Sequence, residues 1–204
     1  MPSFGTLNVH SSLLPRHRGP DPLFWTYFCD DRETGVTIHW MDAQLDTGPI
    51  AAQKRMSLTR GTPGIELYMR TAEEGAAMLL QTVDEVAKGT AAADAQDETA
   101  ATSEPSPSAG TWRVDYSNWH AERLWHFLRG TAQYGFPLVD RVGRRHLIAD
   151  ATSFHEGASP HPGGTVTSNS GTIRIYTADG WVEAVPRTGV DRWRFRLRRL
   201  TAGF

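Results

Sequence analysis

Cysteine is nearly absent from these 204 residues. Cys29 stands alone, which excludes an internal disulfide framework and suits a reducing, cytoplasmic setting. Lysine is almost as scarce: only Lys54 and Lys88 occur, and the other nineteen of the twenty-one basic side chains are arginine. Net charge is −2, so no global field draws the chain to nucleic acid or an acidic membrane. No apolar run is long enough to cross a bilayer. No charged leader followed by an apolar stretch is seen, so no signal peptide is expected. Residues 90–110 have no aromatic and no aliphatic side chain larger than alanine. Such a stretch has nothing with which to build a core, and reads as a linker, extended or laid over a surface.

What remains is ordinary globular material, 39% hydrophobic and 22% charged. Residues 5–9 read as a short buried strand. Asp21 followed by Pro22 marks a helix start, with Leu23, Phe24, Trp25, Tyr27 and Phe28 as its apolar body. Residues 33–42, ETGVTIHWMD, alternate as a strand, with Val36, Ile38 and Trp40 on one face and Thr37, His39 and Met41 on the other. A loop and a second strand over 50–58 follow. Thr62-Pro63 then opens an amphipathic helix whose apolar stripe is Ile65, Met69, Ala72, Ala76, Leu79, Leu80, Val83 and Val86, stopped by Gly89.

Past the linker, Ser117 or Asn118 can cap a helix carrying Ala121, Leu124, Trp125 and Leu128. Short strand-like runs follow over 136–142, 145–149, 164–168, 172–177 and 181–185, with Asp179-Gly180 as a hairpin turn. Their regular spacing predicts a small β-barrel. The expected domains are 1–89, a linker at 90–111, and 112–204.

Chemistry concentrates near the front. A strand over 5–9 places Asn8 and His10 at its carboxyl end, where open α/β sheets bind ligands. Asp46 lies in a loop thirty-six residues after His10. Together they offer an amide donor, a group titrating near neutrality, and an anion to orient the imidazole. Taken singly, Asn8 suits a turn, His10 a strand end and Asp46 a loop surface. Ser11 lacks the elbow a nucleophile needs. Arg16, His17 and Arg18 suit either an anionic ligand or a solvated face. His155 and His161 have no further ligands to complete a metal site.

LNVHSSLLPRHRG, ETGVTIHWMD and LDTG, in that order, resemble the signature of the folate-dependent formyltransferases, the family of methionyl-tRNA formyltransferase and the amino-sugar formyltransferases. QDETAAT followed by RVDYSNWHAERLWHFLRG is similar to the linker and first carboxyl-domain helix of its methionyl-tRNA branch. The resemblance implies an α/β fold: the C-terminal half of a Rossmann-like formyltransferase domain, followed by a small OB-like barrel. It implies transfer of a formyl group from 10-formyltetrahydrofolate, without a metal, to a primary amine on initiator methionyl-tRNA or a small molecule. Asn8, His10 and Asp46 would be catalytic, with His10 biased toward its charged form by Asp46. Ser11, Ser12, Leu13, Leu14, Pro15, Gly19 and Gly48 would shape the folate and substrate site.

The family carries several β-α units ahead of the Asn-x-His strand, whereas this chain starts at it. The expectation is therefore a truncated domain whose central strand has become an edge, completed by a partner or by a second copy, and with weakened folate binding. Hydrolysis of formyl-folate and a non-catalytic remnant are the competing readings. The tail 191–198 alternates Arg with Trp193, Phe195 and Leu197, which reads as a barrel strand or as a basic stripe facing nucleic acid.

Overall fold

A computed structural model of the chain describes residues 4–108 and 110–187. They fall into two compact units, divided between Pro107 and Ser108.

The first unit is built on three strands: β1 (Leu7–His10), β2 (Glu33–Trp40) and β3 (Ile50–Ser57), in the order β1-β2-β3. Helix α1 (Pro22–Phe28) joins β1 to β2, and α2 (Gly64–Lys88) follows β3. Both strand pairings are antiparallel, with Asn8 opposite His39 and His10 opposite Thr37. The parallel strand pairing typical of a Rossmann-like domain is thus not seen among β1, β2 and β3. A two-sided strand pattern looks alike in parallel and antiparallel sheets, so only the connections could have told them apart. Among the described strands, β1 stands at one end of this order.

The period of two along β1 sends Leu7 and Val9 to one face and Asn8 and His10 to the other. Helix α2 covers the first face. Gly75 makes that approach possible, because a Cβ there would lie 2.7 Å from Val9 and 3.3 Å from Val36. The buried face of α2 is accordingly Leu67, Thr71, Gly75 and Thr82. The apolar stripe read from the sequence points elsewhere: Ile65, Met69, Leu80 and Val83 are exposed. Close backbone contact selects small side chains, and the two threonines hide their hydroxyls on helix carbonyls, Thr71 on Tyr68 and Thr82 on Met78. Gly89 ends α2 in the left-handed conformation, φ 70°, as the sequence indicates.

Residues 92–105 are laid over this unit. Ile50 and Asp94 exchange backbone hydrogen bonds at 2.8 and 2.9 Å, and Arg18 bridges Ser103 in parallel. Trp40 Nε1 donates to the Ala92 carbonyl, and Trp25 Nε1 to that of Pro105.

In the second unit α3 (Ala121–Thr131) packs on a four-stranded antiparallel sheet. Its strands are β6 (Ile148–Glu156), β7 (Val166–Asn169), β8 (Thr172–Thr177) and β9 (Gly180–Pro186), in the order β6-β9-β8-β7. A two-stranded ribbon of β4 (Leu138–Val139) and β5 (Arg145–His146) precedes it. The sheet is open: no closed barrel forms among the described residues. The Arg-rich run 191–198 lies outside them. The β8–β9 turn is Ala178-Asp179 rather than Asp179-Gly180, since Thr177 pairs with Gly180. No helix among the described residues is long and apolar enough to cross a membrane.

Candidate active site

The face of the sheet opposite α2 carries Asn8 and His10 on β1 and Thr37 and His39 on β2. The loop between β2 and β3 brings Asp46 to them. Asp46 sits at φ 56°, a left-handed position that Asp tolerates better than most residues. The loop is pinned beside it, because a Cβ on Gly48 would lie 1.7 Å from the Trp40 carbonyl oxygen.

The three expected residues meet. Asn8 Nδ2 donates to Asp46 Oδ1 at 3.4 Å, and His10 Nδ1 lies 3.7 Å from Asp46 Oδ2. His10 Nε2 donates to the His17 carbonyl at 2.8 Å. Asp46 Oδ2 also accepts from the Gly19 N–H at 2.8 Å. Sequence reasoning missed a fourth member, His39. Its Nε2 lies 3.1 Å from Asn8 Nδ2 and 3.5 Å from Asp46 Oδ1. The only signal for it was its place on the same strand face as Thr37.

His10, His39 and Asp46 are all buried. Burial holds His10 below the ordinary histidine value, and the raising influences of Asp46 and the His17 carbonyl do not overcome it. The charged His10 expected from the sequence is therefore corrected: Asp46 pushes that way, but desolvation wins. For Asp46 the balance falls the other way. Burial works to raise its carboxyl, yet hydrogen bonds from His39 and Gly19 and the nearby His10 hold it below the usual carboxylate range.

The loop after β1 contains the other expected residues. Thr37 Oγ1 donates to the Ser12 carbonyl at 2.7 Å and accepts from the Leu14 N–H at 3.2 Å. Ser12 is fully buried and donates its hydroxyl to the Arg16 carbonyl. Leu14 is buried ahead of a cis bond to Pro15, while Ser11, Leu13 and Pro15 are half-buried. Gly19, at φ 124°, passes so close to the Glu104 carbonyl that a Cβ would lie 2.2 Å from it. Ser12, Leu14, Gly19 and Gly48 thus hold backbone in place.

Arg16 is exposed while His17 and Arg18 are buried, and all three are engaged by carboxylates. Arg16 and His17 pair with Asp31 at 2.7 and 2.6 Å, His17 also meets Glu104 at 3.2 Å, and Arg18 pairs with Glu98 at 2.6 Å. His155 stacks on Trp181 with ring centres 4.0 Å apart, and His161 lies edge-on to Tyr176. Among the described residues, no group of three or more His, Cys, Asp or Glu side chains could hold a metal.

Fold and site together define an α/β unit with an amide, imidazole and carboxylate gathered on one face of a sheet edge. Residues 1–83 match the Formyl transferase family. The whole chain is 28% identical over 214 residues to a methionyl-tRNA formyltransferase of Bacteroides fragilis, of which it spans 65%. Two solved structures share the fold. WlaRD, a sugar 3N-formyl transferase, superposes with a TM-score of 0.71 at 16% identity, over 88% of this chain and 64% of that one. HypX from Aquifex aeolicus, in complex with tetrahydrofolic acid, gives 0.65 at 22% identity over 88% of this chain and 31% of that one. The resemblance to folate-dependent formyltransferases drawn from Asn-x-His and Asp-x-Gly is borne out.

Proposed function

We propose that this chain carries a formyl-transfer site using 10-formyltetrahydrofolate as donor and a primary amine as acceptor. One observation carries the reading: Asp46, distant in sequence, meets both Asn8 and His10 of β1.

In this reading each of the three side chains has a role. Attack of the amine on the formyl carbon forms the new C–N bond and places negative charge on the formyl oxygen. Asn8 releases its long bond to Asp46 and donates to that oxygen, a contribution of order 10² to 10³ in rate. With Nε2–H committed to the His17 carbonyl, neutral His10 presents Nδ1 as the base for the amine proton. The imidazolium so formed faces the Asp46 carboxylate, then returns the proton to the folate nitrogen as its bond to the formyl carbon breaks. A formamide carbon bonded to the folate nitrogen is electrophilic enough without a metal. Ser11, Ser12, Leu13, Leu14 and Pro15 form the wall for the folate, with Gly19 and Gly48 allowing close backbone.

For the acceptor, likeness to methionyl-tRNA formyltransferase along the full chain supports initiator methionyl-tRNA. The net charge of −2 favours a small amine such as an amino sugar or a hydroxyornithine-type compound. The unit 112–204 would be the family's carboxyl domain, an OB-like barrel in that reading, and the setting cytoplasmic.

The test is product formation by the purified chain with 10-formyltetrahydrofolate and each acceptor. Asp46→Asn should lower turnover about 10²- to 10⁴-fold. Binding of methionyl-tRNA that weakens steeply with salt assigns the tRNA, while salt-insensitive turnover of a small amine assigns the second reading. Free formate without acceptor marks hydrolysis. Absence of turnover by the wild-type chain with every acceptor rejects the enzyme reading in favour of a non-catalytic module.

A further inference from the structure

The segment 92–105, which composition marks as a bare linker, makes more contacts with the site than its sequence suggests. Gln96 Nε2 donates to the carbonyls of Asp46 at 2.9 Å and of Gly48 at 2.7 Å. Its Oε1 accepts from Arg18 Nε at 3.1 Å and Nη2 at 2.8 Å. Arg18 is itself buried and held by Glu98 through a two-pronged contact, Nη1 at 2.9 Å and Nη2 at 2.6 Å. Every hydrogen-bonding position commonly used by the Gln96 carboxamide is therefore occupied.

The same segment grips the other side of the site. Thr102 exchanges backbone hydrogen bonds with Pro15 and Arg18, its hydroxyl accepts from the His17 N–H, and Glu104 N donates to the Arg18 carbonyl. The His17 carbonyl so fixed is the one that holds His10 Nε2. Asp94 meanwhile pairs with Ile50, just past the Asp46 loop. One extended strap thus reaches both the loop bearing Asp46 and the loop that orients His10.

We propose that Gln96 is a positioning residue, which locks the Asp46 loop so that its carboxylate stays in register with Asn8 and His10. A loop with a left-handed aspartate has no strand pairing of its own at that residue, and the carboxamide supplies the missing partners for its carbonyls. A carboxylate displaced by an ångström loses much of its effect on an imidazole in a buried site. The proposal rests on the formyl-transfer reading only for its kinetic consequence.

The experiment is a coupling measurement on the full chain, with the His10 ring followed by NMR through a pH titration. The charged or titratable groups facing that ring are Asp46, His39 and His17. In the wild-type background Asp46→Asn should lower the His10 midpoint, because it removes an attractive charge. In a Gln96→Ala background that difference should shrink or vanish, and amide exchange at residues 47–49 should quicken. Gln96→Glu provides the second variant if the alanine variant does not fold: it keeps a partner for Arg18 but cannot donate to the two carbonyls. Asp97→Ala, which disturbs only the strap's own turn at Thr99, should leave the coupling intact. If the wild-type chain transfers formyl groups, Gln96→Ala should lower kcat roughly 10- to 100-fold with little change in KM, as expected when only geometry is lost. An undiminished effect of Asp46→Asn in both Gln96 backgrounds overturns the proposal. Loss of coupling in a chain that transfers no formyl group supports it and counts against the function reading alone.

Discussion

His10 and Asp46 are two buried groups whose titrations move in the same direction for different reasons. Burial favours the neutral imidazole, so the folded chain binds the His10 proton less readily than the unfolded chain, whose value is near 6.5. Above pH 6.5 both states are neutral and stability is complete. Below it the unfolded chain takes up a proton that the fold resists, so stability falls until the pH passes the lowered folded value. Asp46 adds a second loss below pH 3.8, where the unfolded carboxyl protonates before the folded one. We therefore expect urea midpoints to fall as the pH drops below 6.5, and His10→Gln to flatten that fall; an equally steep decline in the variant would assign it to another group. In the proposed reaction neutral His10 is the base, so kcat/KM should show an acid limb with its midpoint below 6.5, measurable by initial rates across pH. Of the site's side chains, Asn8, His10 and Asp46 were legible because motif order carried them. His39 and Gln96 were not. His39 joins the site only through the register that sets it opposite Asn8, and Gln96 only through contacts that run 48 to 78 residues back along the chain.

Helix ends show the same division between local and distant causes. The start of α1 and the start and stop of α2 were readable from Pro22, Pro63 and Gly89, because those residues act on their own backbone. The start of α3 was not. Neither Ser117 nor Asn118 caps it; the N-cap is His120, whose side chain makes no capping bond. The cap comes instead from Asp179 on the β8–β9 turn. Asp179 accepts from the Ala121 N–H at 3.0 Å and from His120 Nδ1 at 2.7 Å, and Thr177 donates to the same carboxylate. This arrangement puts an anion at the positive end of the helix and ties it to the sheet. Asp179→Ala should cost about 1 kcal/mol, the ordinary worth of a helix cap, seen as a lower urea midpoint with unchanged slope. Asp179→Asn should recover part of that loss, because the amide oxygen still accepts from Ala121. If both variants match the wild type, α3 does not depend on this cap. The buried face of α2 failed to be legible for a related reason: counting apolar residues finds the most hydrophobic stripe, whereas the sheet demanded the thinnest one.

At the scale of the whole molecule, the strap 92–105 belongs to the first unit, and the chain divides after Pro107. The stripe that α2 does not bury has a consequence for the chain in solution. Leu80 is 72% exposed, Val83 50% and Phe4 73%. Leu79, Val83, Val86, Phe4 and Trp40 line an apolar groove of about 510 Å³ next to β1. Beyond β1 no further strand is paired among the described residues, so backbone donors and acceptors lie at the edge of the same apolar surface. A sheet edge flanked by exposed aliphatic side chains favours pairing with another chain. The expected partner in a purified sample is a second copy. Sedimentation velocity should show a weight-average mass rising with concentration. The double variant Leu80→Lys, Val83→Lys should shift that rise to higher concentration, because it charges the surface and removes nothing from the Leu67–Thr82 face that packs on the sheet. A wild-type chain that sediments as a monomer across the accessible range would show that the exposed stripe and the open edge of β1 are not enough to bring two copies together.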